Sequence, residues 1–167
     1  APTPAPAPAP APAPTPISIS TSTQNGSSIY QNARDAIVTI TGINGSTTWI
    51  GSGFIIKYLN EYYIITVAHN VINSNRDDKI DKVLASISNI NNTGLHKVVE
   101  CSVLGVAGLA DIAVLKPNLS LVTHVHLEWG ISRNAKNGET IYIMGDSQGI
   151  DATSITNGII RDNKYSY

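Results

Sequence analysis

Two side chains in this sequence stand where they could move a proton. His69 follows the run Tyr62-Tyr63-Ile64-Ile65-Thr66-Val67-Ala68, whose first half is apolar and β-branched. A strand that delivers an imidazole at its end holds a general base rigidly beside a cleft. Asp111 opens a second apolar run, Asp111-Ile112-Ala113-Val114-Leu115-Lys116. Flanked by Ala110 and Ile112, its carboxylate is expected to be buried, where lacking a partner would be costly. A carboxylate that accepts from imidazole Nδ1–H fixes the tautomer and stabilises the imidazolium formed during reaction. Spacing alone leaves three readings: a His69–Asp111 pair within hydrogen-bond reach, a satisfied core histidine, and a strand-capping aspartate.

Other chemistry-bearing residues are weaker candidates. His124 and His126 share a face of an extended segment, a possible metal pair. No third ligand lies nearby in sequence, so packed or solvated histidines are the plainer reading. Asp77, Asp78 and Asp81 could bind calcium, but their spacing matches no calcium loop, and a solvated acidic turn is expected. Cys101 is the only cysteine, which excludes an internal disulfide and a cysteine-rich metal site. It sits in the apolar run Val98–Val103 and reads as a buried structural thiol. No metal or cofactor is expected. Asn-x-Ser/Thr triplets, Asn25, Asn44 and Asn118 among them, are what chance gives in so Asn-, Ser- and Thr-rich a chain.

The elements that must position these residues are strands. The chain has 167 residues, 42% hydrophobic and 14% charged, with a net charge of -1. No basic face suggests nucleic acid, and no apolar run is long enough to span a membrane. Residues 1–16 repeat Ala-Pro and read as an extended polyproline spacer. Residues 17–27 are Ser/Thr/Asn-rich and are expected to be disordered. A helical turn is expected over 29–34 with Ser27 or Ser28 as cap. Strands are expected at 36–43, 49–58, 62–66, 82–88, 97–107 and 111–116, with Asn44-Gly45 as a hairpin turn. Gly51 and Gly53 suggest a bulge or a close backbone approach. Six strands with short connections make an antiparallel barrel that closes its own edges. Residues 118–139 read as a connector, and strands at 140–144 and 153–161 flank a turn at 145–149. The expected division is a spacer over 1–27, an all-β barrel over 28–117, and a connector with the start of a second, incomplete barrel over 118–167.

At these residues the sequence resembles the trypsin-like, chymotrypsin-fold serine endopeptidases, especially the HtrA/DegP-like branch. Gly51-Ser52-Gly53-Phe54-Ile55-Ile56 is similar to the family's G-S-G-F strand. Thr66-Val67-Ala68-His69-Asn70-Val71 is similar to its T-x-A-H-x-V histidine motif. Asp111-Ile112-Ala113-Val114-Leu115 is similar to its D-[IL]-A-[VL]-L aspartate motif. Gly138-Glu139 through Gly149, then Thr156-Asn157-Gly158-Ile159-Ile160, resembles the run that begins the family's second barrel. The resemblance implies a two-barrel protease acting on polypeptides, with His69 as general base and Asp111 orienting it. A serine would attack the peptide carbonyl beside backbone N–H groups that stabilise the oxyanion.

The sequence departs from the family in one respect. No G-[ND]-S-G-G-P motif occurs in the 167 residues. The resemblance puts that motif beyond Tyr167, so this chain alone is expected to be inactive. Gly145-Asp146-Ser147-Gln148-Gly149 resembles G-D-S-G-G, which makes Ser147 a substitute nucleophile to weigh. Only 36 residues separate it from Asp111, and Gln148 replaces the second glycine. An interstrand turn is the plainer reading. The alternative to an endopeptidase is a non-catalytic binding or scaffold module on a protease-like barrel. The spacer and the single cysteine permit export, with a slight lean that way, but a cytosolic or virion location fits too; the opening Ala fits a processed chain or a fragment.

Overall fold

The computed structural model describes residues 25–72, 80–146 and 153–162. The Ala-Pro repeat, Asp77, Asp78 and Ser147 lie outside the described residues. The described chain is mostly β. Strands β1 (Ile37–Asn44), β2 (Thr47–Tyr58), β3 (Glu61–Thr66), β4 (Lys82–Ile87), β5 (Lys97–Ala107) and β6 (Ile112–Pro117) form a closed antiparallel barrel. Their order around it is β1-β2-β3-β6-β5-β4. Strands β7 (Thr140–Asp146) and β8 (Thr153–Ile159) pair as a separate two-stranded sheet. Among the described residues no helix is long and apolar enough to cross a membrane.

The barrel follows from residue alternation. In β3, β4 and β6 every second residue is buried: Tyr62, Ile64, Thr66; Val83, Ala85, Ile87; Ala113, Leu115, Pro117. A period of two sends that set to one face of a strand. Tyr62, Ile64, Val83, Ala85, Ile87, Ala113 and Leu115 of that set join Val38, Ile40 and Ile55 in the interior. Strand β1 differs, because four consecutive residues, Ile37 to Ile40, are buried. A strand covered on both faces loses the alternation. Val38 and Ile40 face the core, and Thr39 lies on the opposite face under Asp146 of β7.

Three local expectations need correction. The first helix, α1, spans Gly26–Ala33 and is capped by Asn25, not by Ser27 or Ser28. The Asn25 side chain accepts from the Ser28 N–H at 2.9 Å, the favoured N-cap bond, while the Ser28 hydroxyl donates back to the Asn25 carbonyl. The helix thus starts inside the stretch read as disordered. Of the two alternatives for Gly51 and Gly53 the bulge fails, since β2 pairs with β1 in unbroken register from Ile37↔Phe54 to Asn44↔Thr47, while the close backbone approach is met at Gly53, where a Cβ would fall 2.9 Å from the Ile65 carbonyl oxygen. The barrel's irregularity lies in β5, between Val103 and Gly105. Gly145 and Asp146, expected in a turn, continue β7 instead and pair with Ser154 and Thr153.

Cys101 is buried. Burial, with the Glu100 carboxylate beside it, pushes its thiol up to about 12. Since only the thiolate reacts, alkylation in the native state should run at least about a thousandfold slower than for a free thiol. Iodoacetamide labelling before and after unfolding in urea tests this. Labelling at the free-thiol rate without urea would contradict the burial.

Candidate active site

His69 sits in a single 3₁₀ turn, Ala68–Asn70, directly after β3. Burial and a set of three hydrogen bonds hold that turn. Ala68 and Val71 are buried on either side of it. Trp49 Nε1–H of β2 donates to the His69 carbonyl at 3.1 Å. The buried Asn70 donates through Nδ2 to Thr66 Oγ1 at 3.0 Å. Thr66 Oγ1 in turn donates to the Ser52 carbonyl at 2.8 Å.

The barrel glycines make room for this turn. A Cβ at Gly51 would fall 2.2 Å from Asn70 Nδ2, and one at Gly42 would fall 2.6 Å from the Asn70 carbonyl oxygen. Close approach at Gly51 was expected, but by a backbone; here an asparagine side chain fills the place. Asn70, Gly42 and Trp49 are residues that sequence reasoning missed. The available signal was Asn70 four residues after Thr66, next to the histidine.

Asp111 precedes β6, at the barrel end where β3 delivers His69. Its carboxylate meets the histidine twice. Oδ2 lies 2.7 Å from His69 Nδ1, and Oδ1 accepts from the His69 backbone N–H at 3.1 Å. The backbone N–H bond, reinforced by the ring's hydrogen bond and charge, holds the Asp111 carboxyl below its usual range. Asp111 adopts a left-handed backbone, φ 53°, a region that Asp tolerates better than most side chains. It closes the turn begun at Gly108.

The expected burial of Asp111 is corrected. Its side chain is 47% exposed and that of His69 is 69% exposed. Ile112, the apolar neighbour that suggested burial, is itself 45% exposed. The reason is the alternation of β6, which turns Ala113 and Leu115 inward and leaves Ile112 facing out. Asp111 is therefore partnered while its side chain stays about half open to water. His69 Nε2 has no hydrogen-bond partner among the described residues.

The remaining candidates are drawn apart. His124 is buried: its Nδ1 accepts from the Asn91 N–H at 3.3 Å and its Nε2 meets the Asp35 carbonyl at 2.9 Å. A carbonyl only accepts, so the proton lies on Nε2, and burial lowers this histidine's pKa. His126 instead packs edge-on against Tyr62 and contacts Glu128 at 3.0 Å. The two rings do not form a metal pair; His124 is a satisfied core histidine. Asp81 accepts from the Gly45 N–H at 2.7 Å and so ties down the β1–β2 turn. Among the described residues no group of three His, Cys, Asp or Glu side chains is placed to hold a metal ion.

A closed six-stranded barrel beside a second sheet, with a His–Asp pair at the barrel's end, is the arrangement of chymotrypsin-like proteins. Comparison gives the family. The profile of the trypsin-like peptidase domain matches residues 51–166, and the chain belongs to that family. The fold is similar to the crystal structure of Deg5, with a TM-score of 0.66 and 20% identity, covering 80% of this chain and 61% of that one. It is also similar to the serine endoprotease from Yersinia pestis, with a TM-score of 0.62 and 22% identity, covering 80% of this chain and 43% of that one. The chain thus spans less than two thirds of the length of either structure. No curated protein sequence matches it.

Two outcomes follow from this geometry. Gly51→Ala should cost about 1–3 kcal/mol, because Asn70 must leave a buried, bonded position. Gly105→Ala, where an added Cβ meets nothing within 4 Å, should stay within about 0.5 kcal/mol. Urea unfolding of both variants checks the contrast, and equal effects would contradict it. Asp111 has a depressed pKa when folded, so its contribution is present above the unfolded value of about 3.9 and is lost as pH falls through the lower folded value. The stability gap between wild type and Asp111→Ala should be level above that range and shrink below it. An undiminished gap at about pH 2 would contradict the assignment.

Proposed function

We propose that this chain supplies the base-bearing half of a serine endopeptidase site. The observation that carries the reading is the double contact of Asp111 with an exposed His69 side chain, whose Nε2 has no hydrogen-bond partner among the described residues. With Nδ1–H donating to the Asp111 carboxylate, the Nε2 lone pair can accept the proton of a serine hydroxyl as its oxygen attacks a peptide carbonyl. The same proton then passes to the leaving amine. Asp111 stays ionised, and its charge stabilises the imidazolium between those steps. Membership in the trypsin-like peptidase family supports a polypeptide substrate.

The nucleophile in this reading is a serine other than Ser147, since residues 1–167 carry no Gly-x-Ser-Gly-Gly run. The 167-residue chain alone then hydrolyses no peptide and reacts with no fluorophosphonate. A product of the same gene that adds a serine-bearing segment would do both. In that product Asp111→Asn should lower kcat about 10⁴-fold with little change in KM, because the wrong tautomer occupies a preserved geometry.

Peptide hydrolysis and fluorophosphonate labelling of both products test the proposal. Labelling of the 167-residue chain that Ser147→Ala abolishes would overturn the assignment of the nucleophile. Activity indifferent to His69→Ala would overturn the role of the base.

A further inference from the structure

The second sheet touches the barrel at a hydrogen-bonded joint with an unusual composition. Asp146, the last residue of β7, is only 6% exposed. Its carboxylate accepts from the Thr39 hydroxyl of β1. Its backbone is held by one side chain, Ser52 of β2. The Asp146 N–H donates to Ser52 Oγ at 2.9 Å, and the Ser52 hydroxyl donates to the Asp146 carbonyl at 3.1 Å. A hydroxyl that both accepts from and donates to one residue mimics a pair of strand bonds. Thr39 and Ser52 are direct cross-strand partners, so both hydroxyls stand on the outer face of the barrel. Gly145 is small where a Cβ would come 3.2 Å from Ser52 Oγ.

The joint continues toward the histidine. The carbonyl of Ser52 accepts from Thr66 Oγ1, and Thr66 Oγ1 accepts from Asn70 Nδ2. Asn70 is the residue after His69, and its amide group presses on Gly51, the residue before Ser52. One short path of hydrogen bonds therefore runs from the second sheet, through β2 and the end of β3, to the turn that carries the imidazole.

We infer that Ser52, Thr39 and Asp146 are positioning residues: they set the second sheet at a fixed distance and angle from His69. The inference deepens the proposed function, since in a two-barrel protease the second sheet belongs to the part that carries the nucleophile. None of the three touches the reacting atoms. Their effect is geometric, and a misplacement of about 1 Å between base and nucleophile can cost a hundredfold in rate. Asp146 contributes a buried carboxylate that accepts from the Thr39 hydroxyl, so the placement of β7 on β1 is specified by a polar contact as well as by packing.

The test uses the full 167-residue chain and does not need catalysis. In Thr39→Val and Ser52→Ala, amide exchange in β7 and β8 should accelerate at least about tenfold relative to β1–β6. The Cε1–H resonance of His69 should move in the same variants. Thr39→Ser, which keeps the hydroxyl, should restore both readouts to near the wild-type values. Unchanged exchange in β7 and β8 would overturn the joint. Equal acceleration in all eight strands would overturn it too, as general destabilisation. A loosened sheet with an unmoved His69 resonance would overturn the positioning role. Absence of peptidase activity in a serine-bearing product would sink the protease reading while leaving these readouts in place.

Discussion

The double hydrogen bond between Asp111 and His69 is the contact around which the rest of the barrel is arranged. One carboxylate oxygen takes the ring N–H and the other takes the backbone N–H of the same residue. The first fixes the tautomer. The second fixes the turn, so that ring and backbone cannot drift independently. Charge-assisted bonds of this kind are stronger than neutral ones. They need not be buried to hold, and here they are not. A half-exposed pair can meet an incoming group without first opening.

That contact has structural preconditions far from it in sequence. The barrel must close so that β3 and β6 are neighbours, which they are, with Thr66 opposite Ala113. Interior packing of Ile40, Ile55, Ile64, Ile87 and Leu115, all fully buried, maintains that closure. The 3₁₀ turn must also stay where the strand leaves it. Asn70 anchors it from below, and Gly42 and Gly51 leave the space that Asn70 occupies. On the outer face, Thr39 and Ser52 give the same strands a second task, holding Asp146.

Much of the fold was legible in the residues. Short β-branched runs separated by Asn/Gly turns gave six strands in the right order, with ends within one or two residues for most. β6 carries Pro117 as its last residue, where a missing donor ends the ladder harmlessly. The pairing of His69 with Asp111 was legible only when motif and strand order were read together. What failed had physical causes. Asp111 was expected to be buried because its neighbours are apolar, but alternation turns Ile112 outward. For His124 the plainer expectation, a packed histidine, is the one met. The segment there is irregular, and His124 turns inward to serve two backbone groups. Gly51 suggested backbone approach, whereas a side chain from the next turn took the space.

The sequence by itself determined the strand periodicity, the turns between strands and the two residues able to handle a proton. Those are local properties, set by side-chain shape and by polarity at spacings of a few residues. Tertiary structure alone decided which groups meet. Asp111 and His69 are 42 residues apart, and Asp146 and Thr39 are 107 apart. No local preference encodes such distances; barrel closure does, by bringing strand ends and outer faces together. Exposure was decided there too, because how much water reaches a carboxylate depends on what packs over it. Thus the chain's residue pattern specified an imidazole at the end of a strand, and the closed barrel set it against a carboxylate 42 residues away.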